Sequence, residues 1–430
     1  MPTLFASDQL RRIVAAYTLN RLGTWIGTIA VSLAVFDHTH SALAVAATLV
    51  AAQVLPAFAV PALVAKIEAS RSRRELSGLY FFEAATSVCL AVLLWHFWLP
   101  ALLLLIALDG TAALAASALL RTEAARAGRE LVSAETHADP HTGERKAAAA
   151  INVAFSLAFV LGPVLGGALT SWAGASVALF TQAGAFALSG TLLVDLRPHV
   201  EEVGGESVRT RLRAAWDYIQ AMPLLRSLIL TQAAAFVFFE SAFPIEVSYA
   251  KVTLHVGDSG FGLLATVWGL GFVVGAIVFA RASGQPLGAM ISAGTLAVAL
   301  AYVGFGAAPS LSFACGASLV GGVGNGIQWA PLVSAVQQLT PHAFQGRVMG
   351  ALESIGALCP ALGLALGGAL VALSTPRVAF FIVGAGAAFT TVAFAYVTLS
   401  DAPEWAAGGG VGDAPPSQDD EAVASAAGIY

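Results

Sequence analysis

Charge is what this chain has least of. Asp, Glu, Lys and Arg make up 11% of its 430 residues, about half the share of an ordinary soluble chain. That is too little to coat the two or three soluble domains that the length would otherwise suggest. Cysteine is scarce as well. Cys89, Cys315 and Cys359 stand far apart in apolar stretches without metal-ligand spacing, so they read as small packing residues, not as redox or metal groups. No Walker motif occurs, which excludes ATP as the energy source. No nucleophile–base pair or metal set stands at catalytic spacing, so neither an enzyme nor a bound cofactor or metal is expected. No cleavable leader is expected either. Arg11-Arg12 precede a hydrophobic stretch much longer than a signal core, without a clear small-residue cleavage site. The formal net charge is −5, but residues 401–430 carry six acids and no Lys or Arg, and without them the body is +1. The acidity belongs to that tail, whose Gly, Pro and acidic composition reads as disordered. No nucleic-acid partner is expected.

What the chain does have is apolar residues, 57% of the total, in runs near twenty long. Runs of that length cross about 30 Å of hydrocarbon as helices. The pattern predicts an all-α polytopic membrane protein with twelve spans, at 13–36, 41–65, 76–98, 99–120, 147–171, 174–194, 225–248, 259–280, 287–307, 310–338, 348–373 and 377–399. With the N-terminus in the cytoplasm, 18 of the 21 Lys and Arg fall in inside loops. Only Lys251 and Arg377 fall outside, and Arg21 lies within a span. That bias is the positive-inside rule, and it predicts both termini in the cytoplasm and a cell (inner or plasma) membrane location. The organisation expected is a first six-helix bundle over 1–195, a cytoplasmic linker over 196–224, a second bundle over 225–400 and the tail over 401–430. Within the linker, Arg209 to Met222 reads as a helix with Leu212, Trp216 and Ile219 on one side, lying on the membrane surface or serving as a plain connector. The segment 122–146, with His137, Asp139 and His141, reads as a mobile loop rather than a metal site.

Two stretches repeat. Leu165-Gly166-Gly167-Ala168-Leu169 recurs as Leu366-Gly367-Gly368-Ala369-Leu370, 201 residues later. At the same offset Lys146 matches Arg347 and Asn152 matches Glu353. A repeat of about half the chain points to two homologous membrane halves. Gly162 and Gly166 share one helix face, where small residues let another helix approach closely. Pro163 stands between them, tolerated in a membrane where neighbouring helices shield the exposed backbone.

Twelve spans in two halves, a basic connection after span two carrying Arg73-Arg74, and Gly162-Pro163 with Gly166-Gly167 in span five resemble the major facilitator superfamily over about residues 10–400. Leu55-Pro56 and Gly346-Arg347-Val348-Met349-Gly350 resemble its bacterial drug and siderophore exporter branch, which includes enterobactin and macrolide efflux permeases. The resemblance implies two pseudo-symmetric six-helix bundles and alternating access. It also implies a cytoplasmic latch involving Arg73 and Arg74. This chain departs from the family's latch, which has a Gly and an Asp-Arg pair; here the Gly is missing and the nearest acid is Glu68. It also carries Asp109 in span four, where many drug antiporters carry Arg.

Ionisable groups in hydrocarbon cost roughly 2.5–3.5 kcal/mol or more, so each needs a partner or a wet cavity. Arg21 lies about 15 Å beyond Arg11 at helical rise, and Asp109 about 18 Å before Arg121. Both reach the midplane and are expected to face each other, either as a pair that breaks when Asp109 takes a proton or as a permanent structural pair. Glu83 reads as shallower, neutralising loop arginines. Glu240 and Glu246, with Pro244 between them, read as rimming an outer vestibule, with proton or cation uptake as the alternative. Glu353 reads as a cytoplasmic gate contact. Asn20, Gln53, Asn152, Gln182, Gln232, Asn325, Gln328 and Trp25 are candidates for a central cavity, against interhelical hydrogen bonding or packing. The function expected is proton-driven export of a small apolar or amphipathic compound by a monomer in the bilayer. The alternatives are uptake of a metabolite by the same fold, and a non-transporting or lipid-handling membrane partner.

Overall fold

The computed structural model describes residues 8–54, 56, 75–133, 140–195, 216, 218–282, 285–340 and 342–401. Among them are twelve main helices. The first half contributes α1 Asp8–Thr39, α2 Ala42–Val54, α3 Glu75–Leu93, α4 Leu99–Ser133, α5 Pro140–Ala173 and α6 Ala175–Leu193. The second contributes α7 Pro223–Ser248, α8 Gly257–Arg281, α9 Leu287–Ala307, α10 Leu311–Gln338, α11 His342–Leu373 and α12 Pro376–Asp401. Nine of these are long and apolar enough to cross a membrane.

Local chemistry sets the helix ends. Pro140, Pro223 and Pro376 open α5, α7 and α12, where a missing N–H costs nothing. Gly174 joins α5 to α6 at φ 87°, a conformation that a Cβ would strain. Pro163, Pro244, Pro331 and Pro360 sit inside helices. The last turn of α7 runs on as a π-helix over Tyr249–Thr253.

The expected loop over 122–146 is largely helical instead. The α4 helix runs on to Ser133 and α5 begins at Pro140. Ala124 and Ala127 are strong helix formers, and both are buried in one cluster with Leu10, Ile13, Tyr17, Leu120 and Ile151. His137 and Asp139 lie outside the described residues. Of the linker, Ile219 is buried with Leu225, Val336 and Leu339, while Trp216 is exposed. The two therefore do not share a buried face. Arg209 to Ala215 lie outside the described residues.

The chain forms two compact units. The first holds residues 1–202 together with 244–269 and 367–376; the second holds 203–243, 270–366 and 377–430. In the first, α1 packs on α5 and α6, α3 on α4 and α6, and α4 on α5. In the second, α9 packs on α10. Large apolar side chains such as Leu104, Leu300, Leu362 and Phe389 point outward, as they do on helices solvated by lipid.

Candidate functional site

The polar heart of the first unit is shared by α1, α3 and α4. Glu83 on α3 is fully buried, at 0% exposure. The Asn20 side-chain amide donates to its Oε2 at 2.9 Å, while its Oε1 is buried without a hydrogen-bond partner among the described residues. Glu83 lies within electrostatic reach of both Asp109 and Arg21. Three residues along α3, the Thr86 hydroxyl lies 2.5 Å from Asp109 Oδ1 and 2.9 Å from the Glu83 backbone oxygen. The Ser87 hydroxyl donates to that same oxygen at 2.7 Å.

Arg21 and Asp109 do not pair with each other. Among the described residues Arg21 donates to Ser117 Oγ on α4 at 2.9 Å, and its guanidinium stands 5.4 Å from the Tyr17 ring centre. Its Nε is buried without a hydrogen-bond partner. Asp109 is instead bound by Thr86. Helical rise sets an expected depth for both charges, but not the direction in which each side chain leaves its helix. The same limitation explains Glu83. Among the described residues it is not paired with a loop arginine; it is buried and held by Asn20 of α1.

The other candidates are dispersed. Trp25 packs edge-on against Phe159 at 5.1 Å, and a Cβ at Gly162 would meet the Trp25 side chain. Gly162 therefore makes room for Trp25. A Cβ at Gly166 would stand 3.1 Å from the Ile26 backbone, and one at Gly167 would stand 2.9 Å from Gly262 Cα. One at Gly368 would stand 2.9 Å from Leu43 Cα. Thus in each repeat the second glycine of the pair lies against a foreign helix, α8 for Gly167 and α2 for Gly368. Pro163 and Gly367 are buried beside them. Gln182 is buried between α6 and α1, where a Cβ on Gly27 would overlap it, so it packs rather than lines a cavity. Gln53 is half-buried and Asn152 exposed. In the second unit Gln328 donates to Gln232 at 3.4 Å, and Phe236 faces Trp329 at 5.8 Å. Glu240 is half-buried, its Cβ 3.1 Å from where a Cβ on Gly363 would stand. Arg73 and Arg74 lie outside the described residues, as do the side chains of Arg347 and Glu353 on α11.

One charged cluster escaped the sequence reading. Lys251 at the end of α7 donates to Asp37 at 2.8 and 3.0 Å and is ion-paired with Asp258 at the start of α8. Asp37 ends α1, so three helix ends meet on one cation, all within the first unit. The partners stand 214 and 7 residues away, and sequence alone gives only the expectation that Lys251 lies outside. Thr86 was missed too; its signal was a hydroxyl one helical turn after an acid. Among the described residues no group of three or more His, Cys, Asp or Glu is placed to hold a metal ion.

Residues 228–416 match the family model of the Major Facilitator Superfamily. A curated relative from Bacillus subtilis (strain 168), the uncharacterized MFS-type transporter YfiS, is 26% identical over 242 residues. That match covers 52% of this chain and 57% of YfiS, so the chain matches little more than half of the relative's length. Among solved structures, the nucleoside transporter NupG is similar at a TM-score of 0.70 and 12% identity, covering 91% of this chain and 99% of NupG. A bacterial homologue of the iron transporter ferroportin in an inward-facing state is similar at 0.68 and 15% identity, covering 90% and 98%. The all-α architecture is the major facilitator fold.

Proposed function

We propose that this chain, a multi-pass membrane protein of the major facilitator type, is a secondary active transporter that exports a small apolar or amphipathic compound in exchange for protons. A drug, a siderophore or a secondary metabolite fits that description. Both termini face the cytoplasm of the cell membrane, and one chain suffices. The observation that carries the reading is the acid pair of Glu83 and Asp109 in membrane-crossing helices. Among the described residues their side chains are hydrogen-bonded by a neutral amide and a hydroxyl. Each charge there costs roughly 2.5–3.5 kcal/mol or more, and an inert scaffold gains little from it. A proton arriving from outside removes one charge, and the balance between inward- and outward-open states shifts with it. Within the first unit, Trp25 with Phe159 supplies apolar aromatic surface for the cargo. The sequence resemblance to the drug and siderophore exporter branch supports the same direction of transport.

The test is transport in proteoliposomes under an imposed pH gradient. Asp109→Asn is expected to fold and to bind cargo as the parent does, but to lose pH-driven efflux. Unchanged efflux in that variant removes Asp109 from the mechanism. Cargo accumulation down a reversed gradient marks an uptake permease instead. No flux in either direction marks a non-transporting membrane protein.

A further inference from the structure

We propose that Thr86 is the positioning residue that passes the protonation state of Asp109 from α4 to α3. The proposal rests on the proton-coupled reading above, and it starts from a count of hydrogens. The buried Thr86 hydroxyl has two acceptors within reach, Asp109 Oδ1 at 2.5 Å and the Glu83 backbone oxygen at 2.9 Å. It has one hydrogen to give.

Asp109 decides where that hydrogen goes. As a carboxylate, Asp109 can only accept, so Thr86 donates to it in a charge-assisted bond, the stronger of the two choices. The Glu83 backbone oxygen is not orphaned, because the Ser87 hydroxyl donates to it at 2.7 Å. Once protonated, Asp109 donates to Thr86 Oγ1. Thr86 then turns its own hydrogen onto the Glu83 backbone oxygen, the familiar back-bond of a helical threonine. A proton bound on α4 thereby becomes a hydrogen bond on α3. It lands at the backbone of the residue whose side chain is held by Asn20 of α1.

The charged and titratable groups around this switch are few. From α3 come Glu83 and Tyr80, and from α1 come Arg21 and Tyr17. Residues 42–54 of α2 and 147–173 of α5 contain no titratable side chain. Arg21 is engaged by Ser117 and stacked on Tyr17, so Thr86 is the direct contact that responds to Asp109.

The experiment is acid-minus-base infrared difference spectroscopy of the full chain in lipid nanodiscs, comparing the parent with Thr86→Val and Thr86→Ser. The Asp109 carboxylic acid band is identified by its loss in Asp109→Asn. Val keeps the shape and removes the hydroxyl, so the band is expected to move to higher frequency. Its titration midpoint should rise by about one pH unit, since a hydrogen bond lost from the carboxylate is worth about that much. Ser is expected to keep both near the parent. Should Val fail to fold, Thr86→Ala makes the same comparison. An unmoved band and midpoint without the hydroxyl overturn the proposal, as does the absence of any acid-responsive Asp109 band. If the band moves while transport ignores pH, the hydrogen-bond switch stands and the proton-coupled reading falls.

Discussion

Glu83 is fully buried on α3, and the Asn20 amide binds one of its carboxylate oxygens. Counting along a helix gives depth in the bilayer, but azimuth needs a stripe of contrast between apolar and polar sides. The α3 helix is apolar nearly all round, with Phe81, Phe82 and Val88 exposed to lipid and Leu76, Tyr80 and Leu90 buried. Nothing along the chain says which way an acid among them points. The fold settles it through Asn20, whose amide reaches Oε2 across from α1. The other oxygen, Oε1, has no such donor, and this makes a testable difference. Glu83→Gln removes the charge and keeps the shape and the contact with Asn20. Removing a charge from hydrocarbon returns up to roughly 2.5–3.5 kcal/mol. The variant is therefore expected to melt at or above the parent temperature in detergent while its pH-driven transport changes. A melting point several degrees lower would mean that the Glu83 charge is needed to hold the bundle together.

Helices were legible where apolar runs are long and end in Pro or Gly, as at Pro223, Pro376 and Gly174. Span nine, predicted at 287–307, coincides with α9. They were less legible where charge interrupts a good helix former: α4 continues past Arg121 because Ala124 and Ala127 find a core. The glycine repeat was readable as a close-packing face, but not which helix it meets. The partner follows from the fold, α8 for Gly167 and α2 for Gly368. Crowding at that contact predicts a sharp positional effect. A Cβ at position 167 would already stand 2.8 Å from the Asp258 backbone oxygen and 2.9 Å from Gly262 Cα. Gly167→Leu forces still more atoms into that backbone, and such overpacking costs about 1–3 kcal/mol. Ala168→Leu, one residue along on an exposed face, should melt like the parent. Equal melting temperatures for the two variants would show that α5 and α8 do not touch at this glycine.

At the scale of the whole molecule, the proposed orientation assigns each helix end to a side of the membrane. In that orientation the ends of α1, α3, α5, α7, α9 and α11 are expected outside the cell. Three of the exposed tryptophans, Trp95, Trp98 and Trp172, lie at the α3–α4 connection and the end of α5, as aromatic residues at the headgroup level do. The Asp37–Lys251–Asp258 cluster is built from the ends of α1 and α7 and the start of α8, and the proposed orientation puts it outside as well. A wrong span count would scatter these features between the two faces, so the topology can be tested without knowing the cargo. With Cys89, Cys315 and Cys359 replaced by Ala, a cysteine is introduced at Ser310 or at Asp8, both exposed. A membrane-impermeant maleimide added to intact cells should label the variant at 310, in the turn between α9 and α10. The variant at 8, before α1, should be labelled only after the membrane is opened. Labelling of both in intact cells, or the reverse order, would invert or break the proposed orientation. In that case the proton path from outside to Asp109 would have to be redrawn.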